Sequence, residues 1–329
     1  MIPTQVLAAG LGTRLRPLTY EIPKPMVPVL DRPVMGHIVD LLRRQGIERI
    51  VANLHYFPDT IQDHFGDSLE YIYEPELTGT AGGVRKCRSF FGEQTFLVIS
   101  GDSLTDIDIA RFLHRHRETG GVATLAVKRV DDTREYGVVL HDADGRITGF
   151  QEKPDPAEAL SDLGNCGIYM FEPQIFDYFP ATDPVDWAND VFPALLESDT
   201  PFHVHEIDEY WNDVGSLEEL RAGTFDALNG VLKLDIQGEE IAPGLRIGDG
   251  SGFDGVELIE PPVWIGRDVR IGAGVRLDAP VVIGDGAVIG DGAALKDTIV
   301  LPGADVGEGA ILIGAIAGHT GIAASMRRA

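Results

Sequence analysis

Val281-Val282-Ile283-Gly284-Asp285-Gly286 is followed at once by Ala287-Val288-Ile289-Gly290-Asp291-Gly292. Both strings place a large apolar residue third and a glycine after it. Stepping outward by six from Ile283 gives Ile241, Ile247, Phe253, Ile259, Ile265, Ile271, Leu277, Ile289, Leu295, Leu301, Gly307 and Ile313. Twelve of the thirteen positions, Ile283 included, are large and apolar. Two residues before them stand Val263, Val269, Val275, Val281, Ala287, Ala293 and Ile299. This is a hexapeptide repeat, in which each six residues make one short strand and a turn. The large residue points inward at every repeat, and the turn glycines adopt positive φ at low cost. Three repeats close one triangular coil, so the run holds about four coils of parallel β-helix. An ordinary glycine-rich meander has no reason to hold one phase over so many steps. Gly307 breaks the phase, as a terminal coil would.

Ahead of this region the period changes. Thr4–Ala8, Arg49–Asn53, Leu69–Tyr73, Thr95–Ser100 and Val122–Val127 read as strands. Val34–Arg44, Ala81–Phe90 and Ile109–Arg117 read as helices. Such alternation implies an α/β fold with a parallel sheet covered on both faces. Further on, Gly137–Leu140, Arg146–Glu152 and Cys166–Phe171 come closer together, as strands added to make a mixed sheet. The expected organisation is a Rossmann-like α/β domain over 1–230, a linker over 231–240, a β-helix over 241–314 and a tail over 315–329.

Composition narrows the function. Lys and Arg number 27 against 52 Asp and Glu, a formal charge of −25 in 329 residues. Nonspecific nucleic-acid binding needs a basic surface, so nucleic acid is excluded as a partner. No apolar run reaches the ~20 residues that a membrane span requires. Val6-Leu7-Ala8-Ala9 is too short for a secretory signal and is followed by Arg14 and Arg16. The two cysteines, Cys87 and Cys166, lack metal-binding spacing and are expected as reduced core residues. The reading is a cytoplasmic protein without a membrane partner. His114 and His116 are expected on an exposed helix face, and His203 and His205 on a strand. None has the spacing of a helical zinc motif.

Leu7-Ala8-Ala9-Gly10-Leu11-Gly12-Thr13-Arg14-Leu15 directly follows the first strand. Small residues let backbone N–H groups approach an anion. Arg14 adds a forked donor set, and Lys24 in Pro23-Lys24-Pro25 adds a compact charge, a combination suited to a polyphosphate. The dinucleotide fingerprint fails because Leu15 occupies its third glycine, and the Walker pattern is absent.

These strings, with Pro17–Thr19, resemble the signature of the sugar-1-phosphate nucleotidyltransferases. The likeness runs the length of the chain through Gly79-Thr80-Ala81-Gly82, Gly101-Asp102, Tyr136-Gly137-Val138-Val139, Glu152-Lys153-Pro154, Asn165-Cys166-Gly167-Ile168-Tyr169 and Trp211-Asn212-Asp213-Val214-Gly215. Asn53-Leu54-His55-Tyr56 and the layout look most like the mannose-1-phosphate guanylyltransferases. The family also carries left-handed β-helix domains. The resemblance implies transfer of a nucleotidyl group from a nucleoside triphosphate to a sugar 1-phosphate, releasing pyrophosphate. It implies Mg²⁺ held by Asp102 and Asp213, since magnesium favours one or two carboxylates plus phosphate oxygens. Arg14, Lys24 and Asp102 would carry the chemistry. Leu7, Ala8, Ala9, Gly10, Gly12, Thr13, Arg14, Glu74, Gly79 and Thr80 would bind the nucleotide. Gly137, Glu152, Lys153 and Asn165 would bind the sugar phosphate.

Glu74 stands where thymidine-specific relatives place Gln. A carboxylate only accepts hydrogen bonds, and guanine offers two adjacent donors. The expectation is therefore GTP, and the likeness to the mannose-1-phosphate guanylyltransferases implies mannose 1-phosphate as the sugar. The alternatives are glucose 1-phosphate or another sugar or cyclitol phosphate with a different nucleotide, or a non-catalytic regulatory relative. The intact Arg14, Lys24, Asp102 and Asp213 set opposes the last. No histidine lies among the central repeats to serve an acyltransferase. The β-helix is expected to support a homo-oligomer, dimer or tetramer. Because every site residue precedes Ser216, a chain ending near Glu239 is expected to lose assembly and some stability while keeping detectable nucleotidyl transfer.

Overall fold

A computed structural model describes residues 2–319 and 321–324. The chain forms two compact units. The first comprises the residues up to Leu11 and Ile38–Trp211; the second comprises Gly12–His37 and the chain from Asn212 onward.

The first unit is built on a nine-stranded sheet. Thr4–Leu7 lies between Phe96–Ser100 and Ile50–Leu54, and Glu70–Tyr73 follows Ile50–Leu54, all parallel. Thr4–Val6, all of Ile50–Leu54 and Phe96–Ile99 are buried, and the last of these is the unbroken apolar run of a covered parallel strand. The sheet does not stay parallel. Leu163–Phe171 adds antiparallel to Phe96–Ser100, and the hairpin Gly137–His141/Ile147–Glu152 continues that edge. Ala123–Arg129 and Phe202–Glu206 extend the sheet from the other side of Leu163–Phe171. A core rich in aromatic rings lies beneath, with Phe91 stacked on Phe96 at 4.0 Å and Phe171 on Trp187 at 4.7 Å.

The helix Val34–Arg44 has its expected bounds. The stretch read as one helix over 81–90 is instead two short ones, Gly82–Lys86 and Arg88–Phe91, meeting at Cys87. Both cysteines are buried and unbridged, and burial pushes the Cys87 thiol up to about 12. His114 is exposed as expected, but His116 is not. On Ile109–Thr119 it turns to the sheet, where Nδ1 lies 2.8 Å from Thr124 Oγ1 and Nε2 3.2 Å from Glu172 Oε1. The amphipathic pattern concealed this because a paired histidine buries readily. Burial holds its pKa below the ordinary 6.5, against the opposing pull of Glu172.

The second unit contains the hexapeptide region as a left-handed β-helix, together with the helix Leu217–Leu228. Its coils pair in parallel, Val263 with Val281 and Ile265 with Ile283, eighteen residues apart. The interior is a ladder of Ile265, Leu277, Ile283, Ile289 and Leu295 with Val263, Val275, Val281, Ala287 and Ala293 between them. The six-residue phase fails earlier than the sequence suggested. From Val281 onward the pairing offset is seventeen: Ile283 opposes Val300 and Leu295 opposes Leu312. The missing residue lies at the corner occupied by Asp297, whose φ is +52°, and again at Gly314, with φ +64°. One left-handed residue there turns the chain where two residues turn it below. The inward set therefore becomes Val300, Val306 and Leu312 in place of Leu301, Gly307 and Ile313, and Ile313 is 66 % exposed. Pairing continues past the expected end of the helix, with Ala315–Gly318 beside Ile299 and Val300. Ile241, at the other end, is also exposed. Arg327 and Arg328 of the expected tail lie outside the described residues.

Helix Leu217–Leu228 is fastened to the β-helix by Arg221. Its guanidinium Nη1 lies 2.5 Å from Asp297 Oδ1, at the shortened corner, and over the ring of Phe225. Segment Gly12–His37 packs in the same unit. Arg32 donates to the carbonyl of Asp235, and Leu18, 6 % exposed, lies under Gly318.

Candidate active site

In the first unit, the strand Thr4–Leu7 ends in Ala8-Ala9-Gly10-Leu11. Ala8 and Ala9 are buried and Gly10 is exposed. Asp102 follows the neighbouring strand, in the position where open α/β sheets present ligand groups. Gly101 makes this possible: its N–H donates to Leu7 O at 2.9 Å, and a Cβ there would come within 2.8 Å of the same oxygen.

Gly79 has φ +86°, and a Cβ would lie 2.3 Å from Val185 O. Only glycine fits this turn. Thr80 Oγ1 donates to Asp186 at 2.6 Å, so its hydroxyl holds the loop rather than projecting from it. The sugar-phosphate candidates gather at one end of three adjoining strands. Gly137 pairs with Glu152 in the hairpin, and Gly164, beside Asn165, pairs with Val138. Lys153 ends its strand at φ +47°, with Nζ 3.8 Å from Glu152 Oε1. Asn165 sits at an irregularity in its strand, where Oδ1 accepts from Gly167 N and Nδ2 donates to the Tyr169 hydroxyl. Tyr136 packs on Trp211, whose Nε1 donates to Cys166 O.

Glu74 does not stand where a base could reach it. It is 3 % exposed, and both its oxygens are occupied by the protein. Oε1 accepts from Asn53 Nδ2 at 2.6 Å, while Oε2 accepts from Thr78 N at 3.1 Å and Thr78 Oγ1 at 2.5 Å. The guanine argument built on its carboxylate loses its footing here. Neither Asn53 nor Thr78 is among the expected site residues. Their signals are the Asn53-Leu54-His55-Tyr56 string, with its polar residue inside an apolar strand, and a threonine just ahead of the tight glycine.

In the second unit, Gly12 turns at φ +61° and its carbonyl accepts from Thr19 Oγ1. A Cβ on Gly12 would come within 2.7 Å of Lys24 Cβ, so glycine admits the stem of Lys24. Thr13 and Arg14 stand in a short helical turn anchored by buried Leu15. Arg14 Nη2 lies 3.7 Å from Asp213 Oδ2. Around Asp213 the backbone folds into successive side-chain-capped turns: Val214 N donates to Asn212 Oδ1 and Gly215 N to Asp213 Oδ1. Val214 is fully buried at φ +44°, a left-handed conformation that a β-branched residue rarely accepts. Such strain persists only where surroundings impose it, and it fixes the carboxylate beside it. Ser216 then caps the helix, its Oγ accepting from Glu219 N, so Asp213 is not the cap. Glu219 binds Asn212 from below, and burial raises its pKa.

Asp102 and Asp213, each described within its own unit, offer carboxylate oxygen, the donor that a hard divalent cation takes. Among the described residues no three of His, Cys, Asp or Glu group as a metal cage, and no helix is long and apolar enough to cross a membrane.

A parallel-to-mixed α/β sheet with an anion-type loop and a hexapeptide β-helix defines a class of nucleotide-transferring enzymes. Residues 4–229 match the Nucleotidyl transferase family and 262–297 the Bacterial transferase hexapeptide family. The chain belongs to the nucleotidyl transferase family and is a sugar-1-phosphate nucleotidyltransferase. It is 38 % identical to a UTP–glucose-1-phosphate uridylyltransferase of Synechocystis sp. over 79 % of this chain and 73 % of that protein. It is 31 % identical to a mannose-1-phosphate guanylyltransferase of Mycobacterium tuberculosis, over 78 % and 79 % respectively. The crystal structure of HddC from Yersinia pseudotuberculosis complexed with GMP-PN superposes with a TM-score of 0.60 at 25 % identity, covering 69 % of this chain and 99 % of that one.

Proposed function

We propose that this enzyme joins a hexose 1-phosphate to a nucleoside monophosphate unit with Mg²⁺, and that Arg14, Lys24, Asp102 and Asp213 carry the reaction. An oxygen of the sugar phosphate attacks the α-phosphorus, the bond to the bridging oxygen breaks, and pyrophosphate leaves. Two anions meet in this step, so the protein's task is positioning and charge neutralisation. The observation that carries the reading is Arg14 beside Asp213, whose backbone is fixed by the strained turn at buried Val214. Arg14 and Lys24 bind the triphosphate, with the backbone of Leu7–Thr13, Gly79 and Thr80. Lys153 binds the sugar phosphate, while Glu152 and Asn165 hold its hydroxyls against Gly137. Bound Mg²⁺ supplies positive charge at the phosphates.

For the substrate pair, UTP with glucose 1-phosphate is our first reading, supported by the 38 % identity to a uridylyltransferase. GTP with mannose 1-phosphate, the expectation from sequence, is the second, supported by the guanylyltransferase at 31 %. Pyrophosphate release measured with five common nucleoside triphosphates against a panel of sugar 1-phosphates will order them. We expect kcat/KM for the UTP–glucose pair to exceed that for GTP–mannose by roughly tenfold or more, about 1.4 kcal/mol. A preference of that size for GTP reverses the assignment, and no release with any pair refutes the reaction.

A homo-oligomer, dimer or tetramer, is part of the same proposal. Ile311 and Ile313 project from the last coil at 72 % and 66 % exposure, beside a strand edge. Exposed apolar edges invite pairing. Light scattering should give at least twice the chain mass; a monomer would remove the claim.

A further inference from the structure

The buried network around Glu74 has a direction that fixes its chemistry. At one end stands Ala8 N–H, which donates to Asn53 Oδ1 at 3.1 Å. At the other stands Thr78 N–H, which donates to Glu74 Oε2. Both are backbone donors and cannot reverse. Asn53 has one accepting and one donating end. Its oxygen is used on Ala8, so its amide must donate to residue 74. Residue 74 therefore faces a donor on each side and must accept twice, which only a carboxylate does. Room for this was made by Gly83, where a Cβ would lie 2.7 Å from Asn53 Nδ2 and 2.8 Å from Glu74 Oε1. The network joins two loops. Ala8 opens the loop after the first strand, and Thr78 precedes Gly79, its carbonyl accepting from Val185 N.

We propose that Glu74 is a positioning residue that, through Asn53, ties the Ala8 turn to the Gly79 loop and so sets the nucleotide-binding backbone without reading the base. This rests on the assignment of those two loops to the nucleotide. Buried polar chains of this kind hold their geometry only when every member is satisfied.

The direction of the network gives the test. Glu74→Gln puts a donor against Asn53 or against Thr78 whichever way the amide turns. Asn53→Asp puts two carboxylates together. The double variant Asn53→Asp/Glu74→Gln restores every bond, since the introduced aspartate accepts twice while the introduced glutamine donates to it and accepts from Thr78. Calorimetric binding of Mg-UTP and Mg-GTP, and KM for each substrate, should be measured well below the melting temperature. The Glu74→Gln variant should weaken both nucleotides equally, by roughly tenfold or more, the scale of losing a charged buried hydrogen bond. KM for the sugar phosphate should change little, and the double variant should recover most of the loss.

A changed UTP-to-GTP ratio in Glu74→Gln, with no recovery in the double variant, would make Glu74 a base reader and overturn the proposal. A lowered melting temperature with unchanged nucleotide affinity would reduce it to a stability role. If neither single variant folds, recovery of nucleotide affinity in the double variant supports the proposal, and failure to recover it overturns the proposal. Nucleotide binding without turnover in the wild type would refute the proposed reaction while leaving this comparison readable. No nucleotide binding at all would refute both.

Discussion

Asp213→Asn and Asp102→Asn are each expected to lower kcat by roughly 10²-fold or more, the scale of losing one charge-stabilising group at a phosphoryl centre. Asparagine keeps the shape and, at 213, an oxygen for the Gly215 N–H that donates to Asp213 Oδ1. The strained Val214 turn should survive, so a loss of rate reports the charge and not the fold. Two further readings sharpen the test. Turnover should stop in chelator, and the Mg²⁺ concentration for half-maximal rate should rise in both variants. Near-wild-type kcat in both would remove them as metal ligands. Arg14 makes Asp213 the more sensitive of the two. With the carboxylate gone, the guanidinium, 47 % exposed, loses the counter-charge 3.7 Å away.

The second large effect is expected on cutting the chain near Glu239. Read along the sequence, such a chain keeps every site residue. The structure argues for a large loss of rate, because Gly12–His37, which carries Arg14 and Lys24, belongs to the compact unit that contains the β-helix. The cut removes Gly318 from above Leu18 and Asp297 from Arg221. It leaves the Arg14 segment and the helix after Asp213 without the surface they pack on. A displacement of about 1 Å in a positioning group costs on the order of 10²-fold in rate, and we expect at least that loss. The point variant Asp297→Asn isolates the fastening. Asparagine tolerates the left-handed corner and keeps an oxygen for Arg221, 11 % exposed in its side chain, but removes the opposing charge. Exchanging a charged for a neutral acceptor costs about 1–2 kcal/mol, seen as a lower denaturation midpoint. A soluble truncated chain with wild-type kcat/KM would show that the β-helix has no part in the chemistry.

The contrast marks where sequence reading works. Periodicity is a local property, so the hexapeptide stack and the buried strands were legible, including the helix Val34–Arg44 to the residue. The shortened corner at Asp297 was not, because Leu301 continues the written phase by coincidence while Val300 takes the inward place. The antiparallel insertion of Leu163–Phe171 depends on which strands meet, which no period records. Motifs gave the residues of the candidate site but not their surroundings. The carboxylate of Glu74 reads as an acceptor for the donors of a base, and the donors it meets belong to Asn53 and Thr78. His116 lies in a charged stretch that reads as an exposed helix face, and its partner Glu172 lies far along the chain.

The composition of the second unit also orders events in time. Gly12–His37 leaves the ribosome early, whereas the residues it packs against are made only after the entire first sheet. Domains generally fold as they are synthesised, N-terminal first, but Gly12–His37 belongs to a unit whose other residues begin only at Asn212. The unit that carries Arg14 and Lys24 therefore closes only after the whole sheet of the first unit has been made.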